Sequence, residues 1–244
     1  MDRANALVLK GEHAAAIKLF SEAARLGADG AIFNAGNSYA ALGDLEHARK
    51  SLQQAGSAGV WEAWLNLGHV CCELGRRKQA LRAYLRAAAH GDPKGPVEAA
   101  WHLRDLNRTV EADHLLRVAA DAGNDLAAGA LGQILFEEIC KNDTQAEVPD
   151  NVVSLLKRGS PNLTKARISY ALVLQRSGRI EEAISWLSDN TEKQEVAVII
   201  ALANLLLDAG RTSEGRKFLQ QAMKFGDESA KNTLRLLEKT ERTN

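Results

Sequence analysis

The sequence predicts an all-α protein: a right-handed α-solenoid of about seven helix-turn-helix repeats, closed by a C-terminal capping helix. Three observations predict it. Glycine or asparagine recurs every 32 residues at Gly11, Gly43, Gly75 and Asn107. An alanine column, Ala16, Ala48, Ala80 and Ala112, keeps the same step five residues later. Between the columns, apolar residues fall at intervals of three and four, as at Leu45, Ala48, Leu52 and Ala55, which is one face of an α-helix.

Taken along the chain, the columns divide residues 1–244 into one domain. Its repeats run at approximately 1–28, 29–60, 61–92, 93–124, 125–163, 164–195 and 196–227, with a cap over 228–240. The first helix is short, about Asp2 to Leu9. Repeats one to four add two further columns, Phe20, Leu52, Tyr84 and Leu116, then Ala23, Ala55, Ala87 and Ala119. In each repeat the Gly or Asn of the leading column ends the first helix, where a left-handed residue would clash through its Cβ, and the alanines let the paired helices approach closely. A closing column, Gly27, Gly59, Gly91, Gly123 and Gly226, ends each second helix, with Asn162 standing in for Gly and Gln194 as the exception. Repeat five carries seven extra residues, assigned to a polar loop at 141–149. Across it Asn151, Leu155 and Arg158 take the places of Ala112, Leu116 and Ala119. Repeats six and seven resume the step with Gly178 and Gly210, Ala183 and Gly215, and Leu187 and Leu219. In the cap, Leu234, Leu236 and Leu237 are expected to face the stack, as a terminal helix of a solenoid must. The four prolines, Pro93, Pro96, Pro149 and Pro161, are placed in connections.

Composition narrows the function. Lys plus Arg equal Asp plus Glu at 31 each, so no positive field is available to hold a phosphate backbone, and nucleic acid is not expected as a partner. The start, MDRANALVLKGEH, has no apolar signal-peptide core and no run of about 18 apolar residues occurs, so neither secretion nor a membrane is expected and the cytoplasm is. Cys71, Cys72 and Cys140 are odd in number and two are adjacent, which is no disulfide framework. The six histidines show no metal-ligand spacing, and no cofactor is implied; His102 and His114 share a repeat and could meet. Phosphate-binding loops, nucleophile elbows and dinucleotide fingerprints are missing, so the chain reads as no enzyme. Charge is uneven, with a basic stripe at Arg76, Arg77, Lys78, Arg82 and Arg86 and an acidic repeat five containing Glu137, Glu138, Asp143, Glu147 and Asp150. Solvated faces account for both, with intermolecular pairing as the alternative.

Trp64-x-x-Leu67-Gly68-x-x-Cys71 followed by Ala80-x-x-x-Tyr84 resembles the tetratricopeptide repeat pattern, with Cys in place of its Tyr. The resemblance extends over the whole chain and is strongest at 29–92. The 32-residue period and the endings Ala23-Ala24-Arg25-Leu26-Gly27 and Ala119-Ala120-Asp121-Ala122-Gly123 are similar to Sel-like repeats. It implies a protein-binding scaffold whose first helices line a concave groove. Carried over residue by residue, the groove comprises Asn34, Asn37, Asn66, His69, Glu98, Trp101, Arg104, Gln133, Phe136, Gln175, Arg176 and Asn204. Asn5, Asn37, His69, Trp101 and Gln133 are each 32 residues apart and could track an extended peptide through amide groups that both donate and accept, with Trp101 as its aromatic anchor. The chaperone-type carboxylate clamp is excluded, because Phe33, Leu65 and Val97 stand where its lysine belongs. Two alternatives stay open: homo-oligomerisation through the N-terminal end or the Trp61 edge, and a regulator that responds to an effector peptide.

Overall fold

The computed structural model describes residues 1–143, 146–189 and 195–243, without the side chains of 29, 238 and 240–243. Thr144 and Gln145 of the expected loop, and Gln194 of the closing column, lie outside the described residues. Every regular element among them is helical, and the fold is an α-solenoid of helix pairs.

The chain divides into two compact units, Met1–Ala122 and Gly123–Asn244. The first holds four pairs: α1 (Asp2–Leu9) with α2 (His13–Arg25), α3 (Asp29–Ala41) with α4 (Leu45–Ser57), α5 (Ala63–Glu73) with α6 (Arg77–Ala89), and α7 (Gly95–Asp105) with α8 (Thr109–Asp121). The second holds α9 (Asp125–Asn142) with α10 (Asp150–Gly159), α11 (Thr164–Arg176) with α12 (Ile180–Asp189), α13 (Val196–Asp208) with α14 (Thr212–Lys224), and the cap α15 (Glu228–Thr243). Within each unit every helix packs on its chain neighbours, and first helices also touch first helices, α3 on α5, α9 on α11 and α11 on α13.

The columns do what their chemistry requires. Gly11, Gly43, Gly75, Gly178 and Gly210 have positive φ, and Asn107, at φ 59°, takes the same conformation in the fourth pair because its short amide tolerates it. Ala16, Ala48, Ala80, Ala112 and Ala183 are fully buried between paired helices, beside Phe20, Leu52, Tyr84, Leu116 and Leu187. Ala80→Leu and Ala112→Leu are therefore expected to overpack their pairs and cost about 1–3 kcal/mol each. Thermal unfolding checks this, and an unchanged midpoint in both variants would contradict the packing.

Five expectations are corrected. In repeat five, Val152, Leu156 and Gly159 are the buried residues of α10, one position beyond the expected Asn151, Leu155 and Arg158. The extra residues are not all loop, because α9 runs for 18 residues against 13 in α3, and its added turn packs Ile139 and Cys140 against the core. Asn162 is not left-handed, since Asn107 is the only non-glycine with positive φ among the described residues. The Gly159 carbonyl instead accepts from the N–H groups of both Asn162 and Leu163. The buried Arg167 donates through Nε to the Ser160 carbonyl and through Nη2 to that of Pro161, both at 3.1 Å, so a side chain satisfies carbonyls that this turn leaves open. Pro96 lies inside the first turn of α7 rather than in a connection, at a place where its missing N–H costs no hydrogen bond. In the cap, Leu234 and Leu237 pack on the core, but Leu236 is 63% exposed, because residues two apart on a helix point about 200° apart.

A ladder of ion pairs runs along the second helices. Arg108, Arg179 and Arg211 at the helix entries pair with Glu111, Glu182 and Glu214 three residues on. Arg76 and Arg211 also reach back to Glu46 and Glu181 of the preceding repeat. Hydrogen bonding to the arginine holds each of Glu111, Glu182 and Glu214 below the usual carboxylate range. Their stabilisation is present at neutral pH and is lost as pH falls through the lowered values. It is small because the pairs face solvent.

Candidate functional site

In the first unit the leading-helix residues are drawn together across repeats. Asn66 on α5 donates from Nδ2 to Asn37 Oδ1 on α3 at 2.8 Å. Asn37 and Asn34, with Asn5 and Ser38, line a cavity of about 140 Å³ whose wall includes His13, with a buried Nδ1 that has no partner, and Phe20. The Asn37–Asn66 bond uses one polar atom of each of these two amides and leaves Asn37 Nδ2 and Asn66 Oδ1 outside it. His69 is exposed, with its ring edge-on to Tyr84 at 5.5 Å. Glu98 and Trp101 are half-buried on α7. Arg104 is turned towards α8, where it pairs with Asp113 at 2.9 Å.

A second cluster adjoins these residues. His102 Nδ1 lies 3.0 Å from the Glu98 carbonyl, and Nε2 lies 2.9 Å from Cys72 Sγ. A carbonyl can only accept, so Nδ1 carries the proton and Nε2 accepts from the Cys72 thiol. Tyr84 OH is 3.4 Å from the same sulfur. Burial pushes the Cys72 thiol and the Tyr84 hydroxyl up, so both stay protonated at neutral pH, and the group is a packed polar contact between α5, α6 and α7 rather than an activated nucleophile. His102 therefore faces the preceding repeat and not His114. The sequence held a signal for this, since Cys72 and His102 are 30 residues apart, close to the repeat period.

In the second unit the residues expected in the groove divide: Arg176 and Asn204 are exposed, Gln175 is half-buried, and Gln133 and Phe136 are enclosed. Gln133 is 2% exposed; its Nε2 donates to Glu137 at 2.8 Å and its Oε1 is buried without a partner. Phe136 is 4% exposed and lies under the Arg176 guanidinium, 5.0 Å from the ring centre. Arg176 also donates to Cys140 Sγ at 3.2 Å. Phe136, Cys140, Ser169 and Leu172 line an open hollow of about 400 Å³. Asn204 is exposed, and beside it in the stack Gln175 donates to Asp208 at 2.7 Å. Cys140 and Asp208 were not singled out as site residues from the sequence. Their separations from Arg176 and Gln175, 36 and 33 residues, are again near one repeat.

Among the described residues, no three His, Cys, Asp or Glu side chains gather as metal ligands, and no helix is long and apolar enough to cross a membrane.

The tetratricopeptide repeat model matches residues 33–96, and a second tetratricopeptide repeat model matches 165–188. No curated protein sequence matches the chain. Among solved structures, a Sel1 repeat protein from Oxalobacter formigenes superposes with a TM-score of 0.67 at 17% identity, over 91% of this chain and 98% of that one. The protective antigen c5321 of uropathogenic Escherichia coli, which has an SLR fold, gives 0.63 at 20% identity over 90% and 50%. The APC/C hetero-tetramer Cut9-Hcn1 gives 0.63 at 14% identity over 95% and 47%, so the chain spans about half the length of these last two. At such identities the likeness is one of fold.

Proposed function

We propose that this chain, a solenoid of tetratricopeptide-type repeats with Sel-like features, is a protein-interaction scaffold whose first unit holds an extended segment of a partner along its leading helices. The observation that carries the reading is the Asn37–Asn66 pair, which joins equivalent faces of α3 and α5 beside the Asn34 cavity. Packing does not demand amides there, because the alanine and glycine columns already close the helix pairs. Asn37 and Asn66 would pair with the partner's backbone and Trp101 on α7 would supply the apolar anchor. Gln133 is enclosed in the second unit and has no part in this reading. A buried indole can contribute a few kcal/mol, whereas a neutral amide hydrogen bond nets about 0.5–1.5 kcal/mol.

Peptides selected from a displayed random library on the wild-type chain test this directly. Trp101→Ala is expected to weaken their binding far more than Asn37→Ala, with the helical circular-dichroism signal of both variants unchanged. Peptides that bind both variants as tightly as wild type would overturn the groove. A Trp101→Ala variant destabilised by about 3 kcal/mol or more would instead place the indole in the core.

A further inference from the structure

The basic stripe of α6 acquires a different meaning once its neighbours are in place. A pocket of about 210 Å³ opens between α4, α5 and α6, away from the leading-helix amides. Arg49 of α4 and Arg82 and Arg86 of α6 converge on it, Gln79 contributes an amide, and Trp64 of α5 lies in its wall. Trp64 is 4% exposed and its indole N–H, a donor only, is buried with no partner. The Arg86 guanidinium sits 4.4 Å over the indole ring. Cys71 Sγ approaches Gln79 Oε1 at 3.9 Å, which leaves the Gln79 NH₂ as its free hydrogen-bonding end.

The pocket wall therefore offers donors and positive charge, and no carboxylate lines it. Arg49 is compensated by Glu46, at 3.2 Å, which also accepts from Arg76. Arg82 and Arg86 have no carboxylate partner within ion-pair distance among the described residues, Arg82 using its Nε on the Lys78 carbonyl. Two charges without a carboxylate partner, both on exposed side chains of α6, thus converge on one cavity with an apolar floor. A carboxylate supplies one negative charge. A phosphate monoester supplies about 1.5 to 2 at neutral pH, with three acceptor oxygens suited to the fork of a guanidinium.

We propose that this pocket binds a phosphoryl group carried as a monoester, held by Arg82 and Arg86 with Arg49 and the Trp64 indole N–H completing the donor set. The same chemistry is presented by a phosphorylated side chain of a partner segment and by a free phosphate ester. The site is independent of the leading-helix groove, so either can fail without the other.

The Trp64 indole N–H resonance, identified by its loss in Trp64→Phe, reports on the pocket in the intact chain. Titration with O-phosphoserine is expected to shift it saturably, and Arg82→Gln to weaken that binding about tenfold, the loss of one charge-assisted hydrogen bond. Arg86→Gln is a second variant for the same readout. Arg77→Gln, on the same helix but outside the pocket, should change affinity less than twofold. A phosphoserine peptide binding more tightly than free O-phosphoserine and inorganic phosphate would assign the site to a partner segment; equal binding would assign it to free phosphate esters. The proposal is overturned if no phosphate compound gives a saturable shift, if acetate binds as tightly, or if Arg77→Gln loses as much affinity as Arg82→Gln.

Discussion

Tyr84→Ala is expected to destabilise the first unit by about 3–5 kcal/mol, the cost of deleting a fully enclosed aromatic side chain. The ring is 1% exposed and is pressed against the backbone of α5, where a Cβ added to Gly68 would lie 2.3 Å from the Tyr84 ring. Its hydroxyl meets Cys72, and its ring meets those of His69 and His102. One side chain therefore joins α5, α6 and α7, and its removal leaves a cavity that three helices would have to close together. Tyr84→Phe keeps the ring and loses one weak hydrogen bond to sulfur, so a change of about 1 kcal/mol or less is expected. Urea unfolding followed by hydrogen exchange resolves the first unit from the second. If Tyr84→Ala exchanges its α5 and α6 amides as slowly as wild type, the ring is not the keystone of that packing.

Gly159→Ala is expected to cost about 3 kcal/mol or more in the second unit, although it adds only one methyl group. That methyl would stand 2.0 Å from Gly129 Cα, 2.4 Å from Gly129 N and 2.9 Å from the Asp125 carbonyl oxygen. All three are backbone atoms of α9, so no side-chain rotation relieves the overlap, and α10 must move away from α9 as a body. Gly30→Ala is the informative contrast. Nothing lies within 4 Å of an added Cβ there and the residue is inside helix α3, so the same substitution should stabilise the chain by about 0.5–1 kcal/mol. Denaturant midpoints that move in the same direction for both would show that helix propensity, not the α9–α10 backbone contact, governs Gly159.

Much of this molecule is written locally. Helix amphipathicity, the left-handed turns at Gly43, Gly75 and Asn107, and the alanine contacts within a pair all depend on residues within about 30 positions. Each repeats, so chance coincidences are averaged away across columns. Repeat five is where this fails. An insertion can lengthen a helix as readily as a loop, and a shift of one residue between Leu155 and Leu156 leaves an apolar residue at either position. The packing of α10 on α9, where Gly132 stands close to both Leu155 and Leu156, decides that Leu156 is the one fully buried.

The candidate site divides the same way. The sequence by itself determined which side chains sit on the leading helices, because the repeat period assigns Asn34 and Asn66 to one recurring position and Asn37, His69 and Trp101 to another, one helical turn on. The tertiary structure alone decided what each is free to do. Asn37 is joined to Asn66, Arg104 is turned to Asp113, and Gln133 is enclosed. It also brought His102 to Cys72 and gathered Arg49, Arg82 and Arg86 around Trp64. The reason is physical: periodicity reports the face on which a residue lies, whereas burial and charge pairing depend on the angle and distance between neighbouring helices, which small residues set by close approach, Gly56 to the Trp64 ring, Gly68 to the Tyr84 ring and Gly129 to the Gly159 backbone.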